Sequence, residues 1–133
     1  MGALIDSSGL IAAEKSLGSI SRALFANEPV AIAAPTASEL LEVVERTEDS
    51  ALASQRAAFV ERLLEHVEVI PFDGPAARIR ARLEAEGNGG PNVGAAADSR
   101  ALDVAAIALS RGWFVLTSNG RYDAINGLKI VRI

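Results

Sequence analysis

The chain contains no cysteine and a single histidine, His66. The first absence excludes a disulfide framework, a thiolate metal site and a cysteine nucleophile. The second excludes a zinc site built from several imidazoles, so any metal ion here has to be a hard cation held by carboxylates. Aromatic residues make up 5% of the chain while half of it is hydrophobic, so the core must be assembled from Ala, Leu, Val and Ile. No apolar run approaches the roughly 20 residues needed to span a bilayer. The segment from Met1 to Leu10 carries an aspartate and no basic region, unlike a secretory signal, and a cytoplasmic protein is expected. No internal repeat is visible.

A length of 133 residues suits one domain with one core, taken as residues 1–133. The net charge of −4 argues against a general nucleic-acid binder. The two halves differ, however. Residues 1–73 hold 12 acids and 5 bases, and residues 74–133 hold 5 acids and 8 bases. The basic half carries Arg100, Arg121 and Arg132 among others. Such residues usually form solvated faces, but together they also suit an anionic substrate or an acidic partner segment.

Short apolar runs alternate with helical patterns. ALID (3–6), VAIAAP (30–35), VEVIPFD (67–73), WFVLT (113–117) and LKIVRI (128–133) read as strands, with Pro35 stopping the second. SSGLIAAEK (7–15), SISRALFA (19–26), TASELLEVVER (36–46), LASQRAAFVERLLEHV (52–67) and the stretch 95–112 read as helices. Thr36 followed by Glu39 fits a capping box. Asp73 with Pro75 fits an N-cap and first turn for GPAARIRARLEAEG. GNGGPNVG (87–94) reads as a mobile loop, and SNGRYDAING as a loop with a helical turn. Strands alternating with helices imply an α/β sandwich around a mainly parallel sheet.

In such a sheet, ligands bind beyond the carboxyl ends of the strands. Asp6 stands at the end of the first strand, and Thr117 followed by Asn119 at the end of the fourth. Glu39 lies one helical turn after the second strand, and Asp98 or Asp103 near the start of the helix feeding the fourth. Each has a plain structural role open to it: Asp6 and Asp98 as helix caps, Glu39 as the partner of Thr36, Asn119 as a turn residue. Their joint placement at one edge points further. Carboxylates gathered there without a basic partner repel one another unless a cation is present. Mg2+ or Mn2+ needs only a few carboxylates and keeps several waters. It activates a bound water and neutralises charge on a phosphodiester.

At this point the sequence resembles the PIN-domain family, and within it the VapC-type toxins. The matching pieces are LIDSSGLIAAE, PTASELLEVV, IPFDGPAARIRARLEAEG and VAAIALSRGWFVLTSNGRYDAINGLKI, in the right order over nearly the whole chain. The resemblance implies a PIN-like three-layer α/β/α sandwich with a mainly parallel sheet of about four or five strands. It also implies a Mg2+- or Mn2+-dependent ribonuclease, neutralised by a VapB-type antitoxin and usually a homodimer. By position, Asp6 matches the first family acid, with Ser7 and Ser8 the hydroxyl residues after it. Glu39 matches the second acid. Asn119, beside Thr117, matches the place of an Asp or Asn after the fourth strand.

Two positions depart from the pattern. The third acid of such proteins precedes a pair of alanines by a fixed spacing, and Ala105 and Ala106 put Ala101 in its place. Asp98 lies one turn earlier, within about 60° of the direction of Ala101, whereas Asp103 points about 200° away. Asp98 is therefore preferred as catalytic residue and metal ligand with Asp6, and Asp103 becomes the alternative if the helix begins later. After Asn119, the acid and aromatic residue expected a few positions on are replaced by Arg121, Tyr122 and Asp123, so Asp123 is a candidate substitute.

The leading reading is a metal-dependent endoribonuclease with Asp6, Glu39, Asp98 and Asn119 at the site and Arg100 and Arg121 steering the RNA backbone. The alternative is a non-catalytic PIN-like module that binds RNA or protein, which the Ala101 and Arg121 departures favour. A phosphatase or receiver-like domain also uses an acid after its first strand. It wants a second acid close by and a lysine ending a late strand, and this chain offers neither.

Overall fold

The structure, a computed structural model, describes residues 2–10, 29–86 and 99–132. Within them five short strands pair in parallel throughout: β1 (Ala3–Ile5), β2 (Val30–Ala33), β3 (Glu68–Ile70), β4 (Phe114–Thr117) and β5 (Ile130–Arg132). Their spatial order is β3-β2-β1-β4-β5. The chain steps outward from β1 to β3, then returns to lay β4 on the other side of β1. The carboxyl ends of β1 and β4 thus flank the point where the winding reverses, the place where such sheets form a crevice.

Side-chain alternation along the strands divides the interior in two. Leu4, Ala31, Ala33, Ile70 and Val115 face one side. There they meet helices α3 (Gly74–Ala85) and α4, whose described part is Ser99–Arg111. Ala3, Ile5, Ile32 and Leu116 face the other side. They meet α1 (Ala34–Arg46) and α2 (Ser50–His66). The result is the three-layer α/β/α sandwich that the resemblance implies, around the parallel sheet expected from the alternation of strands and helices. Residues 7–10 are helical directly after β1, and Gly120–Tyr122 form a single 3-10 turn after β4.

Among the described helices α4 has the most buried residues. Ala101, Val104, Ala105, Ala106, Ile107 and Ala108 are all fully buried. Its small side chains suit a helix buried against both the sheet and α3, since a core at native density leaves no room for longer ones. It ends where Gly112, at φ +67°, takes the left-handed conformation that glycine adopts without strain. The amides of Gly112 and Trp113 donate to the carbonyls of Leu109 and Ala108, closing a Schellman motif.

The local signals fared unevenly. Asp73 caps α3 as its sequence context predicts, accepting from the Ala76 amide at 3.1 Å with proline in the first turn. The capping box at Thr36 and Glu39 does not form. Helix α1 starts two residues earlier, at Ala34, and Ala33 at its N-cap makes no side-chain bond. Pro35 opens this helix rather than ending a strand, because its fixed φ and missing N–H suit the first helical turn. Thr36 is consequently inside the helix, buried, with no partner for its hydroxyl among the described residues. The helical readings of 11–15 and 19–26, the loop 87–94 and residues 95–98, including Asp98, lie outside the described residues.

Candidate functional site

Asp6 sits one residue past β1, fully buried, its amide still donating to Leu116 of β4. Its two carboxylate oxygens have different employments. Oδ1 accepts from the Gly9 amide at 2.9 Å and from Ser8 Oγ at 2.7 Å. This is helix capping: the Asp6 carbonyl also accepts from the Leu10 amide. Oδ2 points across to β4 and accepts from Thr117 Oγ1 at 2.7 Å. Capping thus occupies one oxygen of Asp6 and leaves the other turned to β4.

The hydroxyls around Asp6 are themselves fixed. Thr117 Oγ1 accepts from the Asn119 amide at 2.9 Å. Ser8 Oγ accepts from the Ser118 amide at 3.1 Å and lies 3.2 Å from Thr117 Oγ1. These bonds staple the end of β1 to the end of β4 over 111 residues of sequence. They fix the carboxylate and leave Oδ2 with one of its two lone pairs unused.

Opposite Asp6 stands Arg121, raised on the 3-10 turn. Asn119 starts that turn, its Oδ1 accepting from the Arg121 amide at 3.0 Å. Arg121 Nη2 lies 3.7 Å from Asp6 Oδ2 and 3.8 Å from Glu39 Oε2. One nitrogen therefore marks where β1 and α1 bring their two carboxylates together. The guanidinium lies 5.2 Å from the centroid of the Tyr122 ring, and Nη2 donates to Tyr122 Oη at 3.4 Å. Burial works against the charge of Arg121, yet Tyr122, Glu39 and Asp6 outweigh it and its pKa rises. Tyr122 is fully buried. Burial, aided by Asp6 and Glu39 and opposed by Arg121, pushes its phenol above the ordinary range, so it stays neutral.

The remaining sequence candidates fall into two groups. Ser7 is half-buried and lines, with Glu39, one end of an apolar groove between α1 and α2 whose walls include Leu40, Val44, Phe59 and Val60. Arg100 Nη2 reaches Glu42, one turn beyond Glu39, at 3.4 Å. These two adjoin the site. Asp103 does not: it takes the Arg80 Nε–H at 2.8 Å, at the seam of α3 and α4. Asp123 is held by Arg132 of β5, Nη2 donating to both its oxygens at 2.8 Å. It anchors the turn that carries Arg121.

The atoms that remain for a ligand are hard oxygens: one lone pair of Asp6 Oδ2, and Glu39 Oε2, which is buried and has no hydrogen-bond partner. Two carboxylates suit Mg2+ or Mn2+, which retains water in its other positions, and do not suit a soft metal. Among the described residues no three acids or histidines gather as a ligand cluster. Sequence reasoning placed Asp6, Glu39, Ser8, Thr117 and Asn119 at one edge but missed that Arg121 looks inward. The available signal was the Asn119 cap two residues earlier, which aims the turn back over β1.

The PIN-domain family model matches residues 3–128. Three solved structures are similar over nearly their full length. The DNA-bound VapBC of Salmonella typhimurium is 24% identical at a TM-score of 0.80, with 99% of this chain and 98% of that one covered. VapBC-5 of Mycobacterium tuberculosis is 28% identical at a TM-score of 0.78, again covering 99% and 98%. FitAcB of Neisseria gonorrhoeae is 18% identical at a TM-score of 0.70, covering 98% and 96%. No curated protein matches the chain in sequence. No helix among the described residues is long and apolar enough to cross a membrane. The family model spans β1 to β4, the acid closing β1 and the glutamate on α1, and the chain therefore belongs to the PIN-domain family and resembles the VapC type within it.

Proposed function

We propose that this chain is a Mg2+- or Mn2+-dependent endoribonuclease toxin of the VapC type, restrained by a VapB-type antitoxin. The observation that carries the reading is the pair Asp6 and Glu39. One is fully buried, the other half-buried, and each keeps an oxygen with unused acceptor capacity turned toward a common point. Burying two acids with acceptor capacity left unused on their facing oxygens is costly in a merely structural site. When bound, the metal supplies a nucleophilic water and neutralises charge on the scissile phosphate.

The chain's own groups do the rest. Asp6 Oδ2 and Glu39 Oε2 hold the ion, with Asp98 as the proposed third acid. Ser8 and Thr117 fix the Asp6 carboxylate so that no reorganisation is needed on binding. Asn119 sets the turn that positions Arg121. Arg100, beside Glu42 at the rim, contributes positive charge for the RNA backbone. Antitoxin pairing is supported by the similarity to VapBC of Salmonella typhimurium and to VapBC-5 of Mycobacterium tuberculosis, a member of the VapBC family of toxin-antitoxin systems.

The test is cleavage of a mixed RNA pool at near-neutral pH with Mn2+. Activity is expected to stop in EDTA and to fall about a hundredfold or more in Asp6→Asn, which keeps the shape but removes the charge that binds the ion. Cleavage that persists in EDTA sinks the proposal. One observation favours a second reading, a non-catalytic binding module: Ala101 stands where the family acid is expected and is fully buried. RNA retained by the wild-type protein without turnover, in the presence of Mn2+, would move that reading forward.

A further inference from the structure

We infer that Arg121 is a resident counter-cation of the acid pair, and that a divalent ion binds Asp6 and Glu39 only by displacing its guanidinium. The inference rests on the metal reading proposed above. The sequence suggests that Arg121 greets phosphate from the protein surface; the structure instead gives a side chain 18% exposed, with Nη2 turned to both acids. Two features separate this contact from an ordinary salt bridge. Charge-assisted hydrogen bonds have N···O distances of about 2.7–2.9 Å, whereas both contacts here are near 4 Å, 3.7 and 3.8 Å. In addition, Arg121 Nε is buried without a hydrogen-bond partner. The guanidinium neutralises the acids by proximity and is not latched to them. Its hydrogen-bonded anchor is Tyr122, whose hydroxyl accepts a long bond at 3.4 Å and whose ring centroid lies 5.2 Å from the guanidinium.

Shared position and like charge set the two cations against each other. Asp6 Oδ1 already accepts two hydrogen bonds and Oδ2 one, so a single Asp6 lone pair is left. That lone pair and Glu39 Oε2 are what Arg121 faces, and they are also the available metal ligands. A divalent ion close to a guanidinium fixed at this point would meet like charge in a poorly solvated site. Arg121 therefore sets a threshold for metal loading and keeps the acids from repelling each other below it.

Calorimetric titration of Mn2+ into the full chain tests this, using wild type, Arg121→Gln and Arg121→Lys. Arg121→Gln is expected to bind Mn2+ about tenfold more tightly or better, because a like charge has been removed. Arg121→Lys keeps the charge and is expected to stay within about threefold of wild type. Without metal, Arg121→Gln should melt below wild type, and Mn2+ should raise its melting temperature more than that of wild type. If this variant is unfolded without metal, Mn2+-induced folding is the equivalent readout. Equal or weaker Mn2+ affinity in Arg121→Gln, with wild type still binding, overturns the counter-cation role and leaves the metal site standing. No Mn2+ binding by any of the three removes both.

Discussion

Arg80 and Arg121 are almost equally buried, at 19% and 18% exposed, and each faces two carboxylates, yet they do different things. At the seam of α3 and α4, Arg80 is latched: Nε donates to Asp103 at 2.8 Å, Nη1 to Glu84 at 2.6 Å and Nη2 to Ser99 Oγ at 3.4 Å. At the carboxyl edge of the sheet, Arg121 stands off its two acids and leaves Nε unpartnered. Evolution of a fold completes a structural pair, because each unmade bond to a buried charge is costly. Incomplete bonding around converging acids is therefore the mark of a place reserved for something else. The surroundings also separate Asp103, one-third exposed and held by Arg80 at 2.8 Å, from fully buried Asp6, one of whose lone pairs stays unused.

The sharpest way to break this comparison is to neutralise both aspartates in parallel. On the proposed reading, Asp6→Asn is expected to lower RNA cleavage about a hundredfold or more, whereas Asp103→Asn should leave it within about twofold, since only the former would hold the ion. Comparable losses in both would mean that the α3–α4 seam belongs to the site. In stability the order changes. Asp103 is one-third exposed, so losing its pair with Arg80 should cost less than about 1 kcal/mol. Thr117→Val should cost more, about 1–3 kcal/mol, because it strips a donor from buried Asp6 Oδ2 and the acceptor from the Asn119 amide. Denaturant unfolding followed by Trp113, the chain's single tryptophan, measures both. A Thr117→Val midpoint equal to wild type would show that water or Arg121 takes over the vacated position.

Much of this site was legible in the sequence, and the parts that were not share a cause. Apolar runs gave the strands within two residues at most ends, since a buried parallel strand is a continuous hydrophobic segment. Asp6 and Thr117 could be placed because residues at strand ends inherit their position from the sheet. Glu39 could be placed within a turn, but its role was obscured by the Thr36 spacing, which imitates a capping box. Nothing local distinguishes a box that forms from one overridden by Pro35 two residues inside the helix start. The partners of the arginines were not legible at all. Arg80 to Asp103 and Arg121 to Glu39 cross between elements, and a long side chain leaves no periodic trace of where its end goes. The fate of Asp123 was hidden in the same way, since its partner Arg132 lies on β5.

The smallest expected effect concerns Tyr122, which backs Arg121 at the site and has no counterpart at Arg80. It is the only tyrosine in the chain, so absorbance near 295 nm reports it alone. Burial pushes its pKa above the ordinary value, Asp6 and Glu39 push the same way, and Arg121 pulls it down. A raised folded-state pKa means that the unfolded chain releases this proton first. Its contribution to stability is then complete below about pH 10, the unfolded value, and is lost as pH rises from there toward the folded one. The native protein should show no phenolate signal up to about pH 10, and the signal should then appear together with the change in Trp113 fluorescence as the chain unfolds. Tyr122→Phe, which has no proton to lose, should lessen the alkaline fall in stability. A reversible phenolate titration near pH 10 with the fold intact would mean that the ring meets water, and that Arg121 has lost the dry, neutral backing that lets so loosely bonded a guanidinium remain beside two acids.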